Sequence, residues 1–306
     1  LPPPSNQSQT TIFDQDTLQY ARQCIQVFTY TIQDQFINKK LLNDVFTSRA
    51  SDGRYFFKRG DDHSQDEPAG CVVRVDNKIL VYYRGTATTK EIMSDLKIKQ
   101  KSLPFGDQEV FVHSGFKNEF TLSEDAMNQA IFDLDDTKSL PIIFIGHSMG
   151  AAIAQIAGLK HAILHPHSDT KVITLGGPRV FGHDAAKLYN ETLDFNTLRI
   201  KQAGDPICNL PPKGLYTHAG SNKIKASPTE KMKMHKPETY QNIINSINQA
   251  TLDAVNARAN ALKIHNQIID AKLSAPPPVP TGKRPPMPPE PPPPRNGINN
   301  SSRGGI

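Results

Sequence analysis

The 306-residue sequence predicts an α/β fold, in which a mostly parallel sheet is covered by helices. Two observations favour this class: short, wholly apolar runs alternate with longer segments of helical periodicity, and the spacing between runs leaves room for crossover helices. Composition agrees, because 37% of the residues are hydrophobic and 21% are charged, which is enough for a sizeable core. No run approaches the roughly 18 apolar residues of a membrane span, so we expect no transmembrane segment.

The predicted elements follow one another regularly along the chain. Residues 13–38 repeat apolar side chains at helical spacing, which predicts an amphipathic helix. The predicted strands are Cys71–Val75, Ile79–Tyr83, Pro141–Ile145, Lys171–Leu175 and Thr197–Lys201. The later predicted helices are Lys117–Leu134, Met149–Leu164, Asp184–Asn190 and a single long, Ala-rich helix, Thr239–Lys272.

Composition divides the chain into three parts. Residues 1–12 are polar and Pro-containing, which predicts a flexible N-terminal arm, and residues 13–273 form the predicted globular domain. Residues 274–306 contain 12 of the 25 prolines, which predicts a disordered tail or semi-rigid spacer. Within it, Lys283–Pro289 has the spacing of a polyproline II ligand, so an SH3-like domain is a candidate partner.

Charge and cysteine content narrow the class of protein. Of the net charge of +5, the tail after Ser274 supplies +3, so the domain is nearly neutral and we expect no nucleic-acid binding. Three cysteines, Cys24, Cys71 and Cys208, cannot build a disulfide framework, which predicts buried thiols. Since the sequence begins with Leu1 rather than Met, we expect a processed, secreted protein, with a cytoplasmic location as the alternative.

The motif Gly146-His147-Ser148-Met149-Gly150 lies between a predicted strand and a predicted helix. This is the G-x-S-x-G nucleophile elbow in the context that it requires, a strand followed by a sharp turn and a helix. Glycines are needed at both ends because side chains there would collide with the neighbouring strand. Ser148 is therefore the predicted nucleophile, whereas His147 is expected to be structural or to line the pocket.

A serine nucleophile needs a histidine base and a carboxylate that orients it. In this arrangement the chain order is Ser, acid and then His, which favours Asp205, directly after the strand Thr197–Lys201. His218 and His235 both follow Asp205, and spacing alone does not choose between them.

Taken together, five motifs of this chain resemble the class 3, or fungal-type, lipase family of the α/β-hydrolase superfamily. They occur in the family's order over residues 70 to 245, and they are Val81–Thr86, Val112–Phe116, Gly146–Gly150, Thr174–Val180 and Gly204–Pro206 with the following Leu210–Pro212. The resemblance implies an α/β-hydrolase fold. The chain departs from secreted fungal relatives in having few cysteines and no tryptophan.

The resemblance also implies roles for particular residues. The family's catalytic histidine precedes a tyrosine at the start of the last helix, which matches His235, and a structural histidine matches His218. The oxyanion-hole donors would be the backbone N–H groups of Thr86 and Met149. No metal or organic cofactor is implied.

The implied function is hydrolysis of lipid carboxylic esters through an acyl-enzyme, as in a triacylglycerol lipase. The alternatives are phospholipase A1 activity, or an interaction protein recruited through its Pro-rich tail. The family carries a lid at the place of Ala87–Phe105, where Lys97, Lys99 and Lys101 would share one side of an extended segment. We expect these lysines either to contact anionic lipid head groups or to form a solvated edge-strand face.

Overall fold

The computed structural model describes residues 11–34, 50–58, 67–85, 99–137, 139–227 and 235–274. Several predictions lie outside the described residues: residues 1–10 of the arm, Thr86, residues 87–98 of the expected lid and the tail from residue 275 onwards.

Six helices and nine strands are named in the described part of the chain. The helices are α1 (Gln15–Asp34), α2 (Ser114–Leu134), α3 (Met149–Leu164), α4 (His183–Leu193), α5 (Pro237–Ser246) and α6 (Gln249–Ser274). The strands are β1 (Ala50–Lys58), β2 (Glu67–Val75), β3 (Lys78–Tyr83), β4 (Gln100–Phe105), β5 (Gln108–His113), β6 (Ile142–His147), β7 (Thr170–Leu175), β8 (Thr197–Gln202) and β9 (Lys223–Ala226).

Seven strands form the central sheet, in the order β1-β2-β3-β6-β7-β8-β9. The pairs β1–β2 and β2–β3 are antiparallel, and every pair from β3 to β9 is parallel. This confirms the predicted mostly parallel sheet. Because parallel strands end at the same edge of a sheet, the residues that follow β3, β6, β7 and β8 meet there.

The sheet separates two hydrophobic cores, as the alternation of side chains along each strand requires. Phe144 of β6 is buried on the side of α2 and α3, whereas its neighbour Ile145 is buried on the side of α1, α5 and α6. The start of the chain joins the second core, since Ile12 and Phe13 are buried and their N–H groups donate to Asn256 Oδ1 at 3.1 and 2.9 Å. Ile12, the last residue of the predicted arm, therefore packs with the domain.

The prediction of one long C-terminal helix is wrong, because the chain breaks between α5 and α6. Asn248 begins α6: its side-chain oxygen accepts bonds from the N–H and the hydroxyl of Thr251, both at 2.9 Å. Such a cap satisfies helix-start donors that a continuous helix would not expose. The break is not evident from the sequence, because the apolar residues keep their helical spacing across it.

The C-terminal end of the expected lid, residues 100–105, is strand β4, which pairs antiparallel with β5. Lys99 and Lys101 are exposed there. The edge-strand interpretation therefore applies to this end of the segment.

The three cysteines are buried and free, as expected. Among the described helices, none has both the length and the apolar character to cross a bilayer.

Candidate active site

Ser148 lies at the sharp turn between β6 and α3. Its φ of 58° places a non-glycine residue in the left-handed region, which is a strained position that the surroundings must hold. The flanking glycines allow the turn: a Cβ at Gly146 would lie 2.1 Å from the Gly150 carbonyl oxygen, and one at Gly150 would lie 2.2 Å from that of Tyr83. The Ser148 N–H donates to the Leu175 carbonyl of β7 at 2.9 Å, which fixes the turn against the sheet.

Ser148, His235 and Asp205 form one hydrogen-bonded chain. His235 Nε2 lies 2.7 Å from Ser148 Oγ, and His235 Nδ1 lies 2.8 Å from Asp205 Oδ2. Because the carboxylate accepts the Nδ1 proton, Nε2 is left as the acceptor for the serine hydroxyl. Ser148 and Asp205 are buried, and the three residues come from widely separated parts of the chain. This is the geometry in which a histidine can remove the serine proton.

The carboxylate of Asp205 is held in its charged form. Burial raises the pKa of this carboxyl, but hydrogen bonds from His235, Tyr240 and the Ile207 N–H, with the attraction of His235, outweigh it and leave the pKa below its ordinary value. The Ile207 N–H donates to Oδ1 at 3.0 Å and the Tyr240 hydroxyl donates to Oδ2 at 2.5 Å. An ionised acid in this position orients the imidazole.

Tyr240, in the first half of α5, has a role that sequence reasoning missed. Its hydroxyl bonds to Asp205 and also accepts the N–H of Gln202 at 3.3 Å. The ring packs over Gly176, where φ is +62° and a Cβ would lie 2.8 Å from the ring. The sequence does contain a signal for this role, the tyrosine that follows His235. In the family resemblance, that tyrosine marks only the start of the last helix.

His147 packs against the base instead of acting as one. Its ring stacks on that of His235 with centroids 5.0 Å apart and lies 5.3 Å from that of Tyr240. Burial, followed by repulsion from His235, lowers the pKa of His147 to about 3, so this ring stays neutral. The expectation of a structural role agrees with this placement.

His218, the other histidine left open by spacing, lies elsewhere. Its Nε2 bonds to the carbonyl oxygen of Cys208 at 2.7 Å, and burial and the charge of Arg199 lower its pKa to about 3. The same loop is held by Arg179, which donates to the carbonyl oxygen of Pro211 at 2.6 Å. His218 thus supports the loop after Asp205, whereas His235 contacts Ser148.

Known proteins share this arrangement of strand, elbow and loop. Residues 80–215 match the family Lipase (class 3). The sequence of residues 80–215 is therefore similar to that of class 3 lipases. The relatives include lipase A of Sodiomyces alcalophilus, 27% identical over 47% of this chain and 42% of its own, and phospholipase A1-II 1 of Oryza sativa, 26% identical over 47% and 42%. The chain thus spans about half the length, or less, of the curated relatives that it matches.

Solved lipase structures resemble this chain at the level of the fold. The triacylglyceride lipase of Rhizomucor miehei superposes with a TM-score of 0.55 over 69% of this chain and 79% of its own, at 19% identity. The described domain therefore has the α/β-hydrolase fold of these lipases, with its helices on both faces of the sheet.

One of the two predicted oxyanion donors, Met149, directly follows Ser148. Met149 is the first residue of α3, where N–H groups have no helical partner and the helix dipole favours negative charge. Thr86 lies outside the described residues, but Gly85 before it is close to the nucleophile, since a Cβ on Gly85 would lie 3.1 Å from Ser148 Cβ. In the part of the chain that the structure describes, no cluster of three or more metal-ligating side chains occurs.

Proposed function

We propose that this protein is a serine hydrolase that cleaves carboxylic esters of lipids. The observation that carries the proposal is the hydrogen-bonded chain from Ser148 through His235 to Asp205, placed at a strained elbow. The class 3 lipase match over residues 80–215 supports lipid esters as the substrate class.

The proposed reaction starts when Ser148 Oγ attacks the acyl carbonyl carbon while His235 Nε2 takes its proton. Asp205 stabilises the imidazolium ion and holds its tautomer. The N–H groups of Met149 and Thr86 would bind the oxyanion, each contributing about 3 kcal/mol to the transition state. His235 then protonates the leaving alcohol, and a water molecule, activated by the same histidine, releases the fatty acid from the acyl-enzyme.

Hydrolysis of p-nitrophenyl esters of different chain lengths tests the reaction. We expect Ser148→Ala to lower kcat/KM by about 10⁴-fold or more, while circular dichroism shows an intact fold. Equal rates in the two proteins would refute the proposal.

The preferred lipid is proposed to be a triacylglycerol, with a glycerophospholipid cleaved as by phospholipase A1 as the second candidate. Both names occur among the relatives, and both reactions break the same type of bond. Incubation with a panel of lipids, with products resolved by mass spectrometry, distinguishes the two.

The regions outside the site have proposed roles as well. We propose residues 13–273 as the catalytic domain and residues 274–306 as a disordered tail, in which Lys283–Pro289 binds an SH3-like groove. Titration of the full chain and of its Pro286→Ala, Pro289→Ala variant with SH3 domains tests this. We further propose that the protein is secreted, which fractionation of cells and medium tests.

The lysines around the expected lid form a proposed lipid contact. Lys99 and Lys101 are exposed, and Lys97 precedes them in the sequence. Changing all three to Gln should weaken binding to vesicles that contain phosphatidylglycerol and leave binding to neutral vesicles unchanged. Equal dependence on anionic lipid in the variant and the wild type would refute this contact.

A further inference from the structure

Basic side chains face one another across the last two strands of the central sheet. In the parallel register of β8 and β9, Arg199 lies opposite Lys223 and Lys201 lies opposite Lys225. Residues two apart on a strand share a face, so all four side chains leave the sheet on the same side. We call these four residues the basic edge.

Little negative charge compensates the basic edge within the described residues. Arg199 is half-buried, donates to the Gly220 carbonyl oxygen at 3.1 Å and is attracted by Asp194. For Lys201, Lys223 and Lys225, no ion pair is found with any carboxylate in the described ranges. Lys223 and Lys225 are exposed. Like charges directly opposite each other on a sheet destabilise it, so the arrangement has a cost for the folded protein.

Protection of a sheet edge does not account for the whole arrangement. Lysines on an edge strand prevent pairing with other chains, which would explain Lys223 and Lys225 on β9. Lys201 and Arg199 lie one strand further in, on β8, which pairs with β7 as far as Ile200 and with β9 as far as Gln202. A positive charge on β8 does not protect the sheet edge, but it makes the electrostatic potential of the surface more positive.

The basic edge begins at the catalytic end of the sheet. Gln202 and Ala226 form the last residue pair of β8 and β9, directly beyond Lys201 and Lys225. Asp205 comes three residues after Gln202 in the sequence, and the chain after Ala226 leads to His235. A surface that binds the basic edge is therefore close to the residues that would carry out ester hydrolysis.

We propose that the basic edge docks the enzyme on a lipid layer with anionic head groups. The inference rests on the proposed function in one respect, that the substrate lies in a lipid layer. Unpaired lysines suit such a layer because their charge complements it and their flexible stems reach several head groups. Each lysine near an anionic surface strengthens binding by about fivefold, so the exposed Lys223 and Lys225 with the half-buried Lys201 together contribute about a hundredfold at low salt.

Vesicle binding by the full chain carrying Ser148→Ala tests the proposal without consuming lipid. On phosphatidylglycerol vesicles, the combined change Lys201→Gln, Lys223→Gln and Lys225→Gln should weaken binding by about a hundredfold. The matched control changes Lys117, Lys187 and Lys263, which lie on α2, α4 and α6, to Gln and removes the same net charge. The control should weaken binding only a few-fold, and the corresponding Lys→Arg triple variant should bind like the parent.

Two outcomes of the vesicle assay overturn the proposal: the edge and control variants lose affinity equally, or the edge variant binds as tightly as the parent. The proposal is also overturned if the parent binds duplex DNA more tightly than vesicles and the edge variant loses that DNA binding to the same extent. Hydrolysis of soluble p-nitrophenyl butyrate separates this result from the proposed function. Wild type and edge variant, both with Ser148 intact, should cleave it equally. If neither protein cleaves this ester, the proposed reaction is refuted. Vesicle binding still tests the docking proposal in that case, because it does not require hydrolysis.

Discussion

Replacement of Tyr240 by Phe removes one hydroxyl group from the acid end of the Ser148–His235–Asp205 chain. That hydroxyl donates to Asp205 Oδ2 at 2.5 Å inside the core. A buried hydrogen bond to a charged group contributes about 1.5–3 kcal/mol to stability. If the bond is stronger by half of this amount in the transition state, where Asp205 stabilises the imidazolium, its loss lowers kcat by about four- to thirteenfold.

The same change has a pH signature. The folded-state pKa of Asp205 lies below its ordinary value, so the stability that it contributes is complete above the unfolded-state pKa and is lost as the pH falls through the folded-state pKa. Without the Tyr240 bond the folded-state pKa rises. Activity and stability should therefore start to decline at a higher pH on the acid side in Tyr240→Phe than in the wild type.

Tyr189→Phe is the matched control. Tyr189 is also fully buried, and its hydroxyl lies 2.9 Å from Thr197 Oγ1, away from the triad. It should lose stability, measured by urea unfolding, with kcat and the pH profile unchanged. The reasoning is refuted if Tyr240→Phe keeps the kcat and the acid limb of the wild type, or if both variants lose kcat equally.

Three further predictions concern the base, the elbow and the tail. His235→Ala should lower kcat/KM on p-nitrophenyl butyrate by about 10⁴-fold, whereas His218→Ala should retain most activity; the reverse ranking would reassign the base. Gly150→Ala places a Cβ 2.2 Å from the Tyr83 carbonyl oxygen, so its melting temperature should fall, and an unchanged value would mean that the elbow has room. Deletion of the residues after Ser274 should leave turnover of soluble esters unchanged, and a clear loss would place the tail in the reaction.

Local steric requirements made the elbow predictable from sequence. The close approach of Gly146 and Gly150 to backbone atoms leaves no room for a side chain, so the spacing of glycines around Ser148 records the geometry directly. The core strands were predictable for a similar reason, since strands buried on both faces are continuous apolar runs. The histidine in contact with Ser148 was not predictable from spacing, because the contact joins residues 87 positions apart.

Features that depend on tertiary contacts were not predicted from the sequence. The short strand β9 has a polar, lysine-bearing pattern because it lies at the edge of the sheet. Strand β4 begins with three polar residues and ends with apolar ones, a pattern that also suits a lid. The contact of Tyr240 with Asp205 joins residues 35 positions apart, and no local pattern encodes it. The cap at Asn248 was readable in principle, since Asn three residues before Thr is a helix-start signal.

The attachment of the chain start to α6 bears on how activity arises during folding. Asn256 binds the backbone of Ile12 and Phe13, and α1 packs against α5, the helix that directly follows His235. Residues 80–215, the part that matches the lipase family, contain Ser148 and Asp205 but not His235. Completion of the triad therefore depends on contacts of very high sequence separation, which form slowly. On refolding, catalytic activity should return later than helical circular dichroism, and a fragment that lacks either end of the domain should hold a nucleophile without its base.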